Sequence, residues 1–496
     1  MLSKDQLDQA TGLDVYESSI VEKDGSTFFL AGKGRQKLVG IVGPGWWQGT
    51  EEVAQIDGLC VCVGPADHNA AEHIRRLLPW TAAKCVGLAT SAGLGDRLGL
   101  ATPGHIRSIR DSGVVPILAQ QSIREMTRTQ RTPEQVMDAA TFGVLQEGYT
   151  DGFGSDADHL QQLEDIDVTV AAGFTMFTID PGQHVVNEAD ELSSDQLESR
   201  FDTLTDLVAQ LDTSPADLKG SYVGKTFDLV GGGSVAFDAE TFYRAFIKYG
   251  GAVAHTLKMY RHLQTRLDDE KFELEVSVDE TDSPTSPAEH YFFANELKRC
   301  GVKWVSMAPR FIGRFEKGVD YIGDLDIFRK SFAEHVAVMR TLGPYKMSIH
   351  SGSDKFSIYP IVAEMTGGTV HLKTAGTSYL EALRAISKVQ PDLYREILDF
   401  ARDRYETDKA TYHVSADVSK VPAADTLSDD QLADLLDDFD ARQVFHVTFG
   451  SVLTAEGGSK FRTRMYEALE THEQEHYDVL AHHLGRHVEP FAQVAK

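Results

Sequence analysis

The chain has 496 residues, 42% hydrophobic and 25% charged, which gives material for a large core and excludes a wholly disordered chain. Its 48 Lys and Arg stand against 75 Asp and Glu, a net charge of −27. Such a surface repels phosphate backbones and anionic lipid, which excludes nucleic acid and membranes as partners and requires local cations for any anionic substrate.

The four cysteines, Cys60, Cys62, Cys85 and Cys300, make neither a disulfide framework nor a structural zinc set. The start, MLSKDQLDQATG, shows no apolar leader, and no uninterrupted apolar stretch reaches spanning length. A cytoplasmic protein with reduced thiols is expected.

In chain order, residues 1–80 read as a β-containing N-terminal extension, with strands near Leu38–Val42 and Leu59–Val63. From 81 to 391, short apolar runs alternate with helical patterns, the signature of βα units. Candidate strands are CVGLAT from Cys85, VVPILAQ from Val114, GFGSDAD from Gly152, FTMFTID from Phe174, FELEVSVD from Phe272, VKWVSMA from Val302, YKMSIH from Tyr345 and TVHLKT from Thr369. About eight such strands predict an α/β fold, a TIM-like (β/α)8 barrel.

Helix starts are read at Thr102-Pro103, in a segment closed by Gly113, at Thr132-Pro133 with Gln135, and at Ser378 with Glu381, ahead of a stripe that stops at Pro391. A polar, mostly helical insertion with a Gly231-Gly232-Gly233 turn occupies about 185–270. Residues 392–496 form a mainly helical extension with one further strand at Val444–Phe449.

Polar residues on the strands carry the chemistry. In Phe272–Glu280, Phe272, Leu274, Val276 and Val278 alternate with Glu273, Glu275, Ser277 and Asp279. One face is therefore apolar and the other mostly acidic. Carboxylates turned into a barrel are costly unless they bind metal, pair with a cation or move protons; a solvated edge strand would show the same alternation.

Lys346, Ser348 and His350 share one face of their strand, and the polar loop Ser351-Gly352-Ser353-Asp354-Lys355 follows. His371 and Lys373 share a face of the next one. Asp156-Ala157-Asp158-His159 places an Asp beside a His at a strand end, where one could ligate and the other take a proton, although a plain Asx-rich loop looks much the same. Arg310, Arg314, Lys355 and Lys373 are local cations that an acidic substrate could use. Gly93-x-Gly95-x-x-x-Gly99 has the wrong spacing for a dinucleotide fingerprint, and no P-loop or G-x-S-x-G is present.

Seven strings carry a resemblance: GDRLGLATPGH from Gly95, GFGSDADHL from Gly152, FTIDP from Phe177, EVSVDETDSPTSP from Glu275, RFIGRFEKGVDYIGD from Arg310, SIHSGSDKFSIYP from Ser348 and HLKTAGTSYLEA from His371. They resemble the bacterial tagaturonate epimerase family, in the same order from about residue 15 to residue 455. The resemblance implies a divalent-metal-dependent enzyme, using zinc, manganese or a similar ion, that interconverts D-tagaturonate and D-fructuronate in galacturonate breakdown. It implies Asp158 as proton acceptor, Glu275 as proton donor, and His159 and His350 as metal ligands. For the third ligand, strand geometry favours His371, with Glu316 as the alternative. Arg310, Ser351, Asp354, Lys355 and Lys373 are expected to hold the sugar acid. Gln161 departs from the family, where Lys is expected.

The two ketouronates differ at the hydroxyl-bearing carbon β to the ketone, whose C–H the ketone does not acidify. Retro-aldol opening and re-closure is the expected route, needing a Lewis acid, a base and a second proton-transfer group. The competing readings are another metal-dependent ketose epimerase, a class II aldolase or a non-catalytic carbohydrate-binding barrel.

Overall fold

The computed structural model describes residues 2–350, 354–374 and 376–495. Strands β1 (Asp14–Val15), β2 (Val21–Lys23), β3 (Ser26–Lys33), β4 (Gln36–Val42), β5 (Glu51–Ile56) and β6 (Leu59–Pro65) form an antiparallel N-terminal sheet in the order β1-β3-β4-β6-β5, with β2 on β3. Phe28, Leu30, Val39 and Ile41 meet Ala70 and Ile74 of helix His68–Leu77 on one side of this sheet. Phe29, Ala31, Val42 and Val61 form a core on the other. The alternation of faces along β3 and β4 is what lets one sheet serve two cores.

Among the described residues, eight parallel strands then close a barrel. They are β7 (Ser91–Gly93), β8 (Val115–Ser122), β9 (Gly154–Leu160), β10 (Met176–Ile179), β13 (Glu273–Val278), β14 (Ser306–Pro309), β15 (Lys346–His350) and β16 (Val370–Lys373). The predicted TIM-like architecture is thus present. Between β10 and β13 the chain is mostly helical, with hairpin β11 (Lys225–Asp228) and β12 (Ser234–Phe237) turning at Gly231–Gly233 and the long helix Ala239–Arg266 packing back on the barrel core. The C-terminal helices build a separate core around Leu383, Ile397, Phe445 and Leu469.

Four local expectations are corrected. Cys85–Thr90 is not a strand: Gly87 adopts φ +62 within it, and pairing starts at Ser91. Val444–Phe449 lies in the helix Phe439–Thr454, buried at nearly every position from Asp440 to Phe449, so no polar face marks its helical period. Thr102 does not cap its helix. Asp96 instead accepts from the backbone N–H groups of Leu98, Gly99 and Ala101 just before it. Ser378 and Glu381 lie inside the helix Thr377–Val389, where Ser378 Oγ is 2.7 Å from His105 Nε2 and Glu381 pairs with Arg384 and Arg442. The Thr132–Gln135 capping box is formed as read. Among the described residues, no helix is long and apolar enough to cross a membrane.

Candidate active site at the barrel mouth

Parallel strands end together, so residues at their C-terminal ends converge on one mouth. His350 and Lys373 are the last residues of β15 and β16, Asp279 follows β13, and Asp158-His159 lies near the end of β9. Adjacent strand residues normally face opposite ways. Here the register of β9 against β10 shifts between Ala157 and Leu160, and His159 takes a left-handed backbone at φ +54. This bulge turns both Asp158 and His159 into the barrel.

Two linked groups result. Lys373 Nζ lies 2.8 Å from Asp156 Oδ2 and 2.7 Å from both Asp158 Oδ1 and Glu275 Oε1, and donates to Thr178 Oγ1 at 2.6 Å. Gln120 Nε2 donates to Asp158 Oδ2 at 2.8 Å. Gly93 makes room for that amide: a Cβ there would sit 3.0 Å from Gln120 Cγ. Ser306 Oγ donates to Glu275.

Above this ionic cluster, His159, Asp279 and His350 form a triad with one ligand atom from each within 4.8 Å of the others. Asp279 Oδ1 is 3.8 Å from His159 Nε2 and 3.4 Å from His350 Nδ1. The other ring nitrogens face carboxylates, His159 Nδ1 at 2.6 Å from Asp158 and His350 Nε2 at 2.6 Å from Glu275. A carboxylate on the far nitrogen of each imidazole is the usual support of a metal-binding histidine. Among the described residues His159 Nε2 is buried with no hydrogen-bond partner, which suits a cation.

Burial works against ionising every carboxyl here, and the cations decide the outcome. His159 and Lys373 hold Asp158 well below the carboxylate range, and Lys373 and His350 do the same for Glu275. Asp156 is pushed up to about 6 by burial against the pull of Lys373, with Asp158 and Glu275 adding to the rise. Lys373 is raised despite burial by its three carboxylates. The site therefore holds two ionised carboxylates able to accept protons, joined by one ammonium.

A cavity of about 330 Å3 opens beside His350 and Asp279, lined also by Arg310, Phe311, Arg314 and Lys317. This falls within the ~300–1,000 Å3 typical of small-molecule sites. It adjoins a smaller recess at Asp158, His159 and Lys373, and His350 and Lys317 line both. A larger groove of about 1030 Å3, between the β11–β12 hairpin and the helix Leu325–Leu342, shares no residue with either.

The structure thus brings together Asp158, Glu275, His159, His350 and Lys373, with Arg310 on the cavity wall. It does not bring in His371, which sits two residues before Lys373, one layer deeper on the same inward face. There its Nδ1 is 2.9 Å from Ser91 Oγ, and burial pushes it down to about 3. Glu316 is also engaged elsewhere, accepting from Ser415 and Gln443.

Asp354 and Lys355 are engaged by other elements. Lys355 Nζ donates to the carbonyls of Glu316 and Val319, while Asp354 meets Arg442, His483 and His487. Ser351 lies outside the described residues. Asp279, Asp156 and Lys317 received no role from the sequence. For Asp279 the signal was present, since it continues the acidic alternation of β13. Gln161 donates to Asp180 at 2.7 Å and accepts from Gln183.

Comparison with known proteins places this geometry in a family. The family model for tagaturonate epimerase (UxaE) matches residues 16–491. A tagaturonate/fructuronate epimerase of Thermotoga maritima is 42% identical over 480 residues, 96% of this chain and 97% of the relative. The native crystal structure of fructuronate-tagaturonate epimerase UxaE from Cohnella laeviribosi superposes with a TM-score of 0.90 at 36% identity, covering 98% of this chain and 97% of that one. A glycerol complex of the same protein gives the same values. The chain belongs to the tagaturonate epimerase family, and it is an isomerase.

Proposed function

We propose that the protein interconverts D-tagaturonate and D-fructuronate by opening and re-forming the carbon–carbon bond beside the inverted centre. The supporting observation is the placement of Asp158 and Glu275 on one ammonium, Lys373, directly beneath the His159–Asp279–His350 triad.

The triad would hold a divalent cation, with Asp279 in the third position. Two imidazoles and a carboxylate suit zinc or manganese. When bound, the cation supplies a Lewis acid for the ketone oxygen. Asp158 takes the proton of the β-hydroxyl. The bond between that carbon and its neighbour breaks, leaving an aldehyde and an enediolate. Rotation of the aldehyde presents its other face, the bond re-forms, and Glu275 returns a proton to the new alkoxide.

Lys373, at 2.7 Å from both carboxylates, passes the proton from one to the other, so each turnover closes with no net gain or loss. Arg310 and Lys317 on the cavity wall receive the substrate carboxylate, supplying the local positive charge that a chain of net −27 otherwise lacks. Incubating metal-loaded protein with D-tagaturonate and following the 1H NMR spectrum tests the reading: D-fructuronate accumulates to a fixed ratio. Release of free aldehyde in place of a second ketouronate would identify an aldolase instead.

A further inference from the structure

Asp354 and the C-terminal helix Glu473–Ala492 meet in a second buried cluster. His483 and His487 are four residues apart, so both face the same side of that helix. Asp354 reaches them from the loop: its Oδ1 is 3.0 Å from His483 Nε2 and 3.1 Å from His487 Nε2. All three side chains are buried, His487 completely.

The far nitrogens decide what these atoms can be. His487 Nδ1 lies 3.3 Å from the carbonyl of His483, and His483 Nδ1 lies 3.3 Å from Glu381 Oε1. A carbonyl oxygen only accepts, so the neutral His487 ring carries its hydrogen on Nδ1, and the lone pair of its buried Nε2 has no hydrogen-bond partner among the described residues. Ligand atoms of His487, His483 and Asp354 are gathered within 4.8 Å of one another. A cation held by these three atoms relieves the opposition of the His487 lone pair to the Asp354 carboxylate.

The spacing agrees. Bonds of about 2.0–2.1 Å at a tetrahedral angle put ligand atoms roughly 3.3 Å apart, close to the separations here. The supporting shell is also in place: Glu381 orients His483, a backbone carbonyl orients His487, and Arg442 Nη2 binds the other Asp354 oxygen at 2.8 Å. Arg442 Nη2 also approaches His483 Nε2 to 3.3 Å, and a cation would displace that approach while leaving its bond to Oδ2.

We propose that Asp354, His483 and His487 form a second, structural site for a zinc-type divalent cation, clamping the C-terminal helix to the chain at Asp354. The cation would lock the chain four residues beyond His350 without touching substrate. This proposal stands apart from the mouth triad, which uses none of the same residues.

The test is a metal count on the full-length protein, loaded with Zn2+ and desalted into metal-free buffer. Two ions per chain are expected in the wild type and one in His487→Gln. The double variant His159→Gln/His350→Gln, which removes the mouth triad, should retain one. Cobalt loading of that double variant should show the visible absorption of a tetrahedral ion. A wild-type count of one, kept in His487→Gln and lost in the double variant, would overturn the second site while leaving the mouth site standing. Should His487→Gln fail to fold, the wild-type count and the double variant decide the matter alone.

Discussion

The two histidine–carboxylate triads use the same kinds of ligand atom and are built in different ways. At the mouth, His159, Asp279 and His350 come from three strand ends, open onto a cavity, and rest on an ionic cluster of three carboxylates and a lysine. At the C-terminal helix, His483 and His487 come from one helix face, and Asp354 closes them against Arg442 and Glu381, all three side chains buried. Ligand type alone therefore does not mark a catalytic centre. What distinguishes the mouth is access for a small molecule and carboxylates free to exchange protons.

The strongest way to break this contrast is to remove the proton chemistry and leave the metal. Asp158→Asn and Glu275→Gln should each lower kcat by about 10²–10⁴, with metal content by elemental analysis unchanged. Near-wild-type turnover in either would remove that residue from the mechanism.

Lys373→Met should cost about 3–5 kcal/mol in denaturant unfolding, because Asp156, Asp158 and Glu275 would be left buried without their cation. A cost below about 1 kcal/mol would mean the carboxylates are solvated in the native state. Asp279→Asn should weaken metal binding at the mouth by more than tenfold, whereas His371→Gln should leave that affinity unchanged. Reversal of these two outcomes would return the third position to His371.

A third class of histidine sharpens the comparison by lacking, among the described residues, any anionic partner within bonding distance. Burial pushes His105, His335 and His476 down to about 4. Between pH 6.5 and 4 the unfolded chain binds protons at these positions and the folded chain does not, so stability is full above about pH 6.5 and falls as pH drops toward 4. Denaturant midpoints at pH 7.5 and pH 5 measure this, and replacing His335 by Phe should flatten part of the slope.

The contrast also marks what could be read in the sequence. Strands alternate faces with a period of two, so the acidic face of β13 and the inward histidine of β15 were visible in one dimension, and βα alternation announced the barrel. The bulge at Asp158-His159 was not, because it depends on register against β10. His371 and Lys373 share a face, and only the stacking of layers in the barrel shows that Lys373 reaches the carboxylates while His371 sits below.

Asp354 and Lys355 looked like substrate ligands in a polar loop. Their partners lie on elements more than thirty residues away in sequence, at Glu316, Val319, Arg442, His483 and His487. The strand expected at Val444–Phe449 failed for a related reason: a helix buried on every side has no amphipathic signature.

Inversion through carbon–carbon bond opening, driven by Asp158 and Glu275, is tested by running the reaction in D2O. The C–H bond at the inverted carbon is never broken on this route, so D-fructuronate formed from D-tagaturonate should retain its proton there in the 1H NMR spectrum. Deuterium at that carbon would contradict the account, because it would require deprotonation of a C–H that the retro-aldol route leaves intact.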